Sequence, residues 1–320
     1  MIGTVLDGTG ALIGDAEHEL GGIDPRWALA ALACHVANHL LRAVAWRNVL
    51  LAALPDRRLP LVQVATAYAA GVAVNGLAPA RGGDAVKIGL VRARLPGASV
   101  ATIAATLPVL VVFDGLAASV LVLAVGLSGG VPLGLGLDPG SATGWLGDHA
   151  VAAAAIAAAV IALGRLVAAS TRRRLRSLWE RVRQGGAILR TPRRYLRGVA
   201  LVQSGAWCCR IAVVFCLLAA FGLPASVPTA ALVMVLTGVS AIVPLTPGGV
   251  GTQQVVLAVA LSQMASAATV LSFSIGMQAG VTLVNAALGI VAAMTMCGSV
   301  RPIAAVRSGL RLARAGGSAG

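Results

Sequence analysis

From Ile211 to Val300 the chain runs ninety residues without one Asp, Glu, Lys, Arg or His. A water-soluble domain needs charged side chains over much of its surface, so a stretch of this length has to lie in lipid rather than in water. Composition extends the conclusion to all 320 residues, because 58% apolar residues, 11% charged residues and a mean hydropathy of +0.88 fall outside the soluble, disordered and collagen-like classes. The expected fold class is all-α: a polytopic helical integral membrane protein. Five cysteines (Cys34, Cys208, Cys209, Cys216, Cys297) sit in apolar segments without C-x-x-C spacing. They read as small buried residues and leave the redox compartment open.

The formal charge is +14, but the excess is confined to short clusters between apolar runs; Arg172 to Arg197 holds ten arginines against one acid, Glu180. That is the charge pattern of membrane topology. A nucleic-acid binder needs a soluble basic face with aromatic or polar readers, and only 3% of this chain is aromatic. The first 24 residues carry five acids (Asp7, Asp15, Glu17, Glu19, Asp24) and no Lys or Arg, unlike a cleavable signal peptide.

At 1.5 Å per residue a crossing helix needs roughly 20 apolar residues. Candidate segments lie near 27–45, 62–79, 100–126, 149–168, 198–221, 229–246, 254–272 and 276–298. Bases collect after the first segment (Arg42, Arg47, Arg57, Arg58), after the fourth, and after the last (Arg301, Arg307, Arg311, Arg314), which places all three loops in the cytoplasm. A full crossing at 62–79 would strand Arg81, Lys87, Arg92 and Arg94 outside. A re-entrant hairpin removes the conflict: 62–79 enters, the chain turns at Pro79 to Gly83, and 84–96 returns. About seven crossings are then expected, with the amino terminus out and the carboxyl terminus in, in the cytoplasmic membrane. The domain plan is an acidic extracytoplasmic tail (1–25), one transmembrane domain (26–300) with a basic cytoplasmic loop (170–197), and a basic cytoplasmic tail (301–320).

Two segments repeat a pattern. Thr66 to Asp84 and Thr229 to Gly251 are both apolar runs ending in a Pro and a Gly pair before a second helix. Entered from opposite sides, they would form an inverted repeat whose broken helices meet near the bilayer midplane. In the first break, Arg81, Gly82, Gly83, Asp84 and Lys87 follow Pro79. A helix starting near Asp84, with Asp84 as its cap, would aim unpaired N–H groups at the turn, where a phosphate suits both those donors and a guanidinium. The plainer reading is a loop with an Asp84–Lys87 pair. The second break is neutral; Thr246, Gly248, Gly249 and Gln254 offer hydroxyl, backbone and amide groups to a polar headgroup, or simply kink the bundle.

These two runs, P-A-R-G-G-D-x-x-K at 79–87 and P-L-T-P-G-G-V-G-T-Q-Q at 244–254, resemble the two signatures of the lysylphosphatidylglycerol synthase transmembrane family, the flippase-like domain proteins. The resemblance covers about residues 27–298. It implies a membrane domain that moves, or helps to move, a lipid. Two departures stand out: Gln254 occupies a position where the family commonly has Glu, and an acidic tail stands where many members have an amino-terminal span. In full synthases a soluble aminoacyl-transfer domain follows the membrane part; the sequence here runs to Gly320, so the resemblance does not imply lipid lysylation.

Other charges in apolar segments are Asp114 and Arg210, each costing about 2.5–3.5 kcal/mol at the bilayer centre; an Arg210–Asp114 clasp is expected. His35, Asn38, His39 and Arg42 share a helix face. H-x-x-x-H can bind zinc, but with no third ligand in view the expected role is headgroup contact or interhelical bonding. The acids near the membrane (Asp84, Asp114, Asp138, Asp148) lack paired spacing, and no Ser-His or Cys-His arrangement stands out, so no catalysis, cofactor or metal is expected. The candidate substrate-binding set is Arg42, Arg81, Gly82, Gly83, Asp84, Lys87, Arg210, Thr246, Gly248, Gly249 and Gln254. Its partner would be an anionic phospholipid or lipid-linked headgroup. The alternative is an accessory subunit of a lipid-modifying or lipid-linked glycan enzyme, and a homo-oligomer is compatible with either.

Overall fold

The computed structural model describes residues 22–77, 82–95, 97–127, 186–242, 251–262 and 264–297. Nine α-helices of five or more residues form there: α1 (Pro25–Ala53), α2 (Leu61–Leu77), α3 (Gly83–Arg94), α4 (Val100–Ala104), α5 (Leu107–Leu127), α6 (Leu201–Ala220), α7 (Val227–Ile242), α8 (Thr252–Leu261) and α9 (Ala267–Cys297). The all-α membrane class holds. Among the described residues four stretches are long and apolar enough to cross a bilayer: Pro25–Ala53, Val100–Val125, Pro192–Ala220 and Ala267–Thr295.

The sequence sets the helix ends. Asp24 starts α1 by accepting a bond from the Arg26 N–H (2.8 Å), with Pro25 where no donor is needed. Gly222, at φ +69°, ends α6, and the Leu223 N–H returns to the Leu218 carbonyl at 2.9 Å. Below α6 the helix continues through a turn at Pro192–Tyr195 and a π turn at Leu196–Ala200. The π turn turns the Gly198 carbonyl toward Asn48, whose Nδ2 donates to it at 2.8 Å.

Helix directions follow from paired contacts. Asn48 meets Gly198 at one end of α1, and the Asp24 N–H donates to the Ala220 carbonyl (3.0 Å) at the other, so α1 and Pro192–Ala220 run antiparallel. Gln203 bonds the Leu110 carbonyl and Trp207 bonds Asp114, so α5 and α6 run parallel. The chain therefore leaves α5 at one end of the bundle and resumes at Gly186 at the other. The expected span 149–168 belongs to this interval and lies outside the described residues. Most bases near helix ends gather at one end, with Arg26 at the other: Arg57 lies against Gly97, just beyond Arg92 and Arg94, and Arg190 to Arg197 precede α6 beside the end of α1.

α2 and α3 form an antiparallel hairpin whose two ends share that basic end. The Gly83 N–H donates to Asn75 Oδ1 (2.8 Å), and a Cβ at Gly83 would lie 2.6 Å from the Asn75 side chain and closer still to the Gly71 carbonyl. This corrects the turn reading of the break. Gly83 is the first helical residue, needed for close backbone approach, not for a positive φ; Asp84 sits in the first turn and caps nothing, since Gly82 holds the cap position.

The second half differs from the expected spans. Residues 254–272 are not one helix: α8 has ten residues, about 15 Å, and ends at Leu261, and α9 begins at Ala267. Ser266 caps α9 by accepting from the Thr269 N–H (3.2 Å), and α9 then runs unbroken past Gly276, whose missing Cβ admits the Phe221 ring. α7 leaves the turn after α6 and α8 leads into the start of α9, so this short pair begins and ends opposite the basic end. Long, short, short, long thus occurs twice (α1, α2, α3, α5 and α6, α7, α8, α9), with hairpins entering from opposite ends. This is an inverted repeat. Two apolar cores hold it, one around Trp46, Leu50, Val64 and Ile103, the other around Leu218, Val233, Leu257 and Phe273.

Candidate functional site

A polar cluster lies at mid-length where α1, α2, α5 and α6 meet. Arg42 stands eleven residues before the end of α1, and Arg210 ten before the end of α6, so each is about 15 Å from a helix end. Arg42 makes a bidentate ion pair with Asp114: Nη1 donates to Oδ1 at 3.1 Å, and Nη2 donates to Oδ2. Arg42 Nε donates to the Tyr68 hydroxyl at 2.6 Å. Asp114 Oδ1 also accepts from Gln203 Nε2 (3.2 Å) and Trp207 Nε1 (3.0 Å). A carboxylate at membrane depth is thereby fully committed.

The expected Arg210–Asp114 clasp is therefore wrong. Asp114 belongs to Arg42, which approaches from α1, whereas Arg210 projects from the exposed side of α6 and stacks 4.7 Å from the Trp207 ring centroid. Among the described residues Arg210 has no hydrogen bond and no ion pair. Lys87, buried, donates to Asp84 at 2.9 Å, as the plainer reading of the first break held, and its ammonium lies 4.6 Å over the Tyr68 ring. Tyr68 thus links the two ion pairs: its hydroxyl meets Arg42 and its face meets Lys87.

Toward the far end of α1, His35, His39 and Asn285 of α9 converge, with Asn285 Oδ1 2.9 Å and 3.0 Å from the two imidazole Nε2 atoms. Gln254 is used internally. Its Oε1 accepts from the Gly251 N–H that starts α8 (2.6 Å), and its Nε2 donates to Gln278 Oε1 (2.9 Å). Of the sequence-based candidates, the structure brings together Arg42, Lys87, Asp84 and, through Trp207, Arg210. Gly82 and Gly83 form the start of α3. Arg81, Thr246, Gly248 and Gly249 lie outside the described residues. Tyr68, Gln203, Trp207 and Asn285 were not singled out from sequence, although each is a polar-tipped side chain in an otherwise apolar helix, the signal that would have found them.

Fold and cluster together define a polytopic helical membrane protein with part-buried charged and polar groups midway along its helices. Its family follows from comparison: the profile of the lysylphosphatidylglycerol synthase TM region matches residues 10–289, and the chain belongs to that family. No curated protein and no solved structure matches it.

Proposed function

We propose that the protein translocates an anionic phospholipid or lipid-linked headgroup across the cytoplasmic membrane, as a transporter and not an enzyme. The observation that supports this reading is Arg210, a guanidinium halfway along α6, exposed, and among the described residues without an acid of its own beside a cluster whose other cations, Arg42 and Lys87, are paired. A cation at that depth needs a partner, and a phosphate that passes through supplies one. Arg81, which precedes α3 in sequence, is a second fork-shaped contact in this reading. Family membership supports a lipid-related role. The basic end of the bundle faces the cytoplasm in this reading, with the first hairpin re-entering from there and the second from outside.

Headgroup-labelled lipid translocation in proteoliposomes tests it. A charge-assisted hydrogen bond contributes about 1.5–3 kcal/mol, so Arg210→Gln should lower translocation by roughly tenfold or more with thermal stability unchanged. Arg81→Lys should retain part of the activity and Arg81→Ala little, because Lys keeps the charge and loses the planar fork. Wild-type rates in a well-folded Arg210→Gln, Arg81→Ala double variant refute the assigned site. No translocation of any anionic lipid by the wild type refutes the transport reading and favours action beside an enzyme partner.

A further inference from the structure

His35, His39 and Asn285 close a triangle. The two Nε2 atoms are 3.0 Å apart, and Asn285 Oδ1 lies 2.9 Å from one and 3.0 Å from the other. Hydrogen bonds alone cannot satisfy it. A carbonyl oxygen only accepts, an amide nitrogen only donates, and an imidazole nitrogen does one or the other. Two roles shared among three mutually touching atoms leave at least two alike, whichever tautomers and amide orientation are chosen. Some edge of the triangle therefore sets donor against donor or lone pair against lone pair at about 3 Å, inside a membrane-length bundle where such a mismatch is expensive.

A cation removes the mismatch, because it takes a lone pair from all three. We propose that His35 Nε2, His39 Nε2 and Asn285 Oδ1 bind a divalent first-row transition-metal ion. The dimensions select its coordination. With bonds of about 2.1 Å to the corners, the ion stands roughly 1.2 Å above the triangle and sees the ligands about 90° apart. Tetrahedral zinc would need edges of about 3.4 Å, so the triangle matches one face of an octahedron with three positions left open. Imidazole suits iron, cobalt, nickel and zinc, and a carbonyl oxygen suits harder ions, which places the site among six-coordinate ions of the cobalt and nickel type.

The ligands come from two helices 250 residues apart in sequence, α1 and α9, all three half-buried, so an ion would both reach the site and tie the halves together. The nearest bases do not oppose it unscreened: Arg42 holds Asp114 and Lys87 holds Asp84. His39 Nδ1 is buried with no partner among the described residues, so nothing behind that ligand fixes its tautomer. Missing second-shell support costs about 10–100-fold in affinity, and the site should be correspondingly weaker than a structural zinc centre. The inference stands on the triangle and is independent of the transport reading.

The test is Co²⁺ titration calorimetry on the untagged full chain in detergent, with thermal unfolding followed in Co²⁺ and in chelator. One equivalent should bind and raise the unfolding temperature. His35→Ala and His39→Ala should each weaken binding by more than about 100-fold, the upper end of losing only second-shell support, with unfolding in chelator unchanged. Asn285→Asp should tighten binding by adding a charged oxygen. That variant decides the matter even where a histidine variant folds poorly, since unchanged affinity there refutes the site. Absence of binding to the wild type also refutes it. So does equal binding to a His35→Ala, His39→Ala double variant, which would assign the ion to His18 or His149.

Discussion

Asp114 is the point at which four donors from two helices converge, so removing its carboxylate has a calculable consequence. Asp114→Leu removes the only acceptor that Trp207 has among the described residues, one of two for Gln203 and the carboxylate of Arg42, and keeps the Arg42 charge inside the bundle. Breaking a buried ion pair from one side costs about 3–5 kcal/mol. The two side chains retain 20% and 22% exposure, which favours the lower end, about 3 kcal/mol. At about 2–4 °C per kcal/mol for a large domain, the unfolding temperature should fall by about 6–12 °C. The second half of the experiment separates charge from packing. Arg42→Met, Asp114→Leu replaces the whole pair with apolar side chains and should recover most of the loss, apart from the bonds of Gln203 and Trp207, because apolar replacement of a buried pair is often neutral. The bonds lost by Gln203 and Trp207 are common to both variants carrying Asp114→Leu and cancel in the double-mutant cycle. Thermal unfolding in detergent, followed by tryptophan fluorescence, provides all four corners. A drop below 2 °C for Asp114→Leu, or a double variant as damaged as the sum of the singles, refutes the clasp.

Gly83→Val should destabilise by about 1–3 kcal/mol through collision with Gly71 and Asn75, read as a fall in unfolding temperature; wild-type stability would mean that α2 and α3 do not pack backbone to backbone. In a cysteine-free background, Arg92→Cys should react with a membrane-impermeant thiol reagent only from the cytoplasmic side. Labelling from outside would invert the bundle and remove the re-entrant reading of the first hairpin.

The fold class, four of the membrane-length or hairpin segments and the first hairpin were legible in sequence because each rests on one-dimensional signals: apolar length, loop charge and a Pro-Gly-Gly break. The division of the last hundred residues was misread for a specific reason. With no charge between Ile211 and Val300, only capping chemistry marks a boundary there, and Ser266 with Thr269 is a weaker mark than Gly276, which looks like a breaker and is a packing contact for Phe221. The site was half legible. Arg42, Asp114, Lys87 and Arg210 stand out as charges in apolar segments, but pairing depends on which helix faces which. Sequence gave no means of preferring Arg42 over Arg210 for Asp114, or of bringing Asn285 to His35 and His39.

The pairing itself bears on transport. Among the described residues the cluster holds three cations and two carboxylates, so in the proposed transport reading a headgroup would meet one uncommitted charge rather than three. Were Arg42, Lys87 and Arg210 all free, a phosphate would gather several charge-assisted bonds of about 1.5–3 kcal/mol each, and at 1.4 kcal/mol per factor of ten its release would slow by orders of magnitude. A carrier needs a site that a ligand enters and then leaves, and if the protein is one, as proposed, the Arg42–Asp114 and Lys87–Asp84 pairs would meet that need by keeping most of the positive charge occupied. They also keep the cluster nearly neutral when no lipid is bound, which limits the penalty of holding charge in the membrane. The same two pairs fasten α1 to α5 and brace α3 over Tyr68 of α2, so the groups that moderate binding also set the geometry around Arg210.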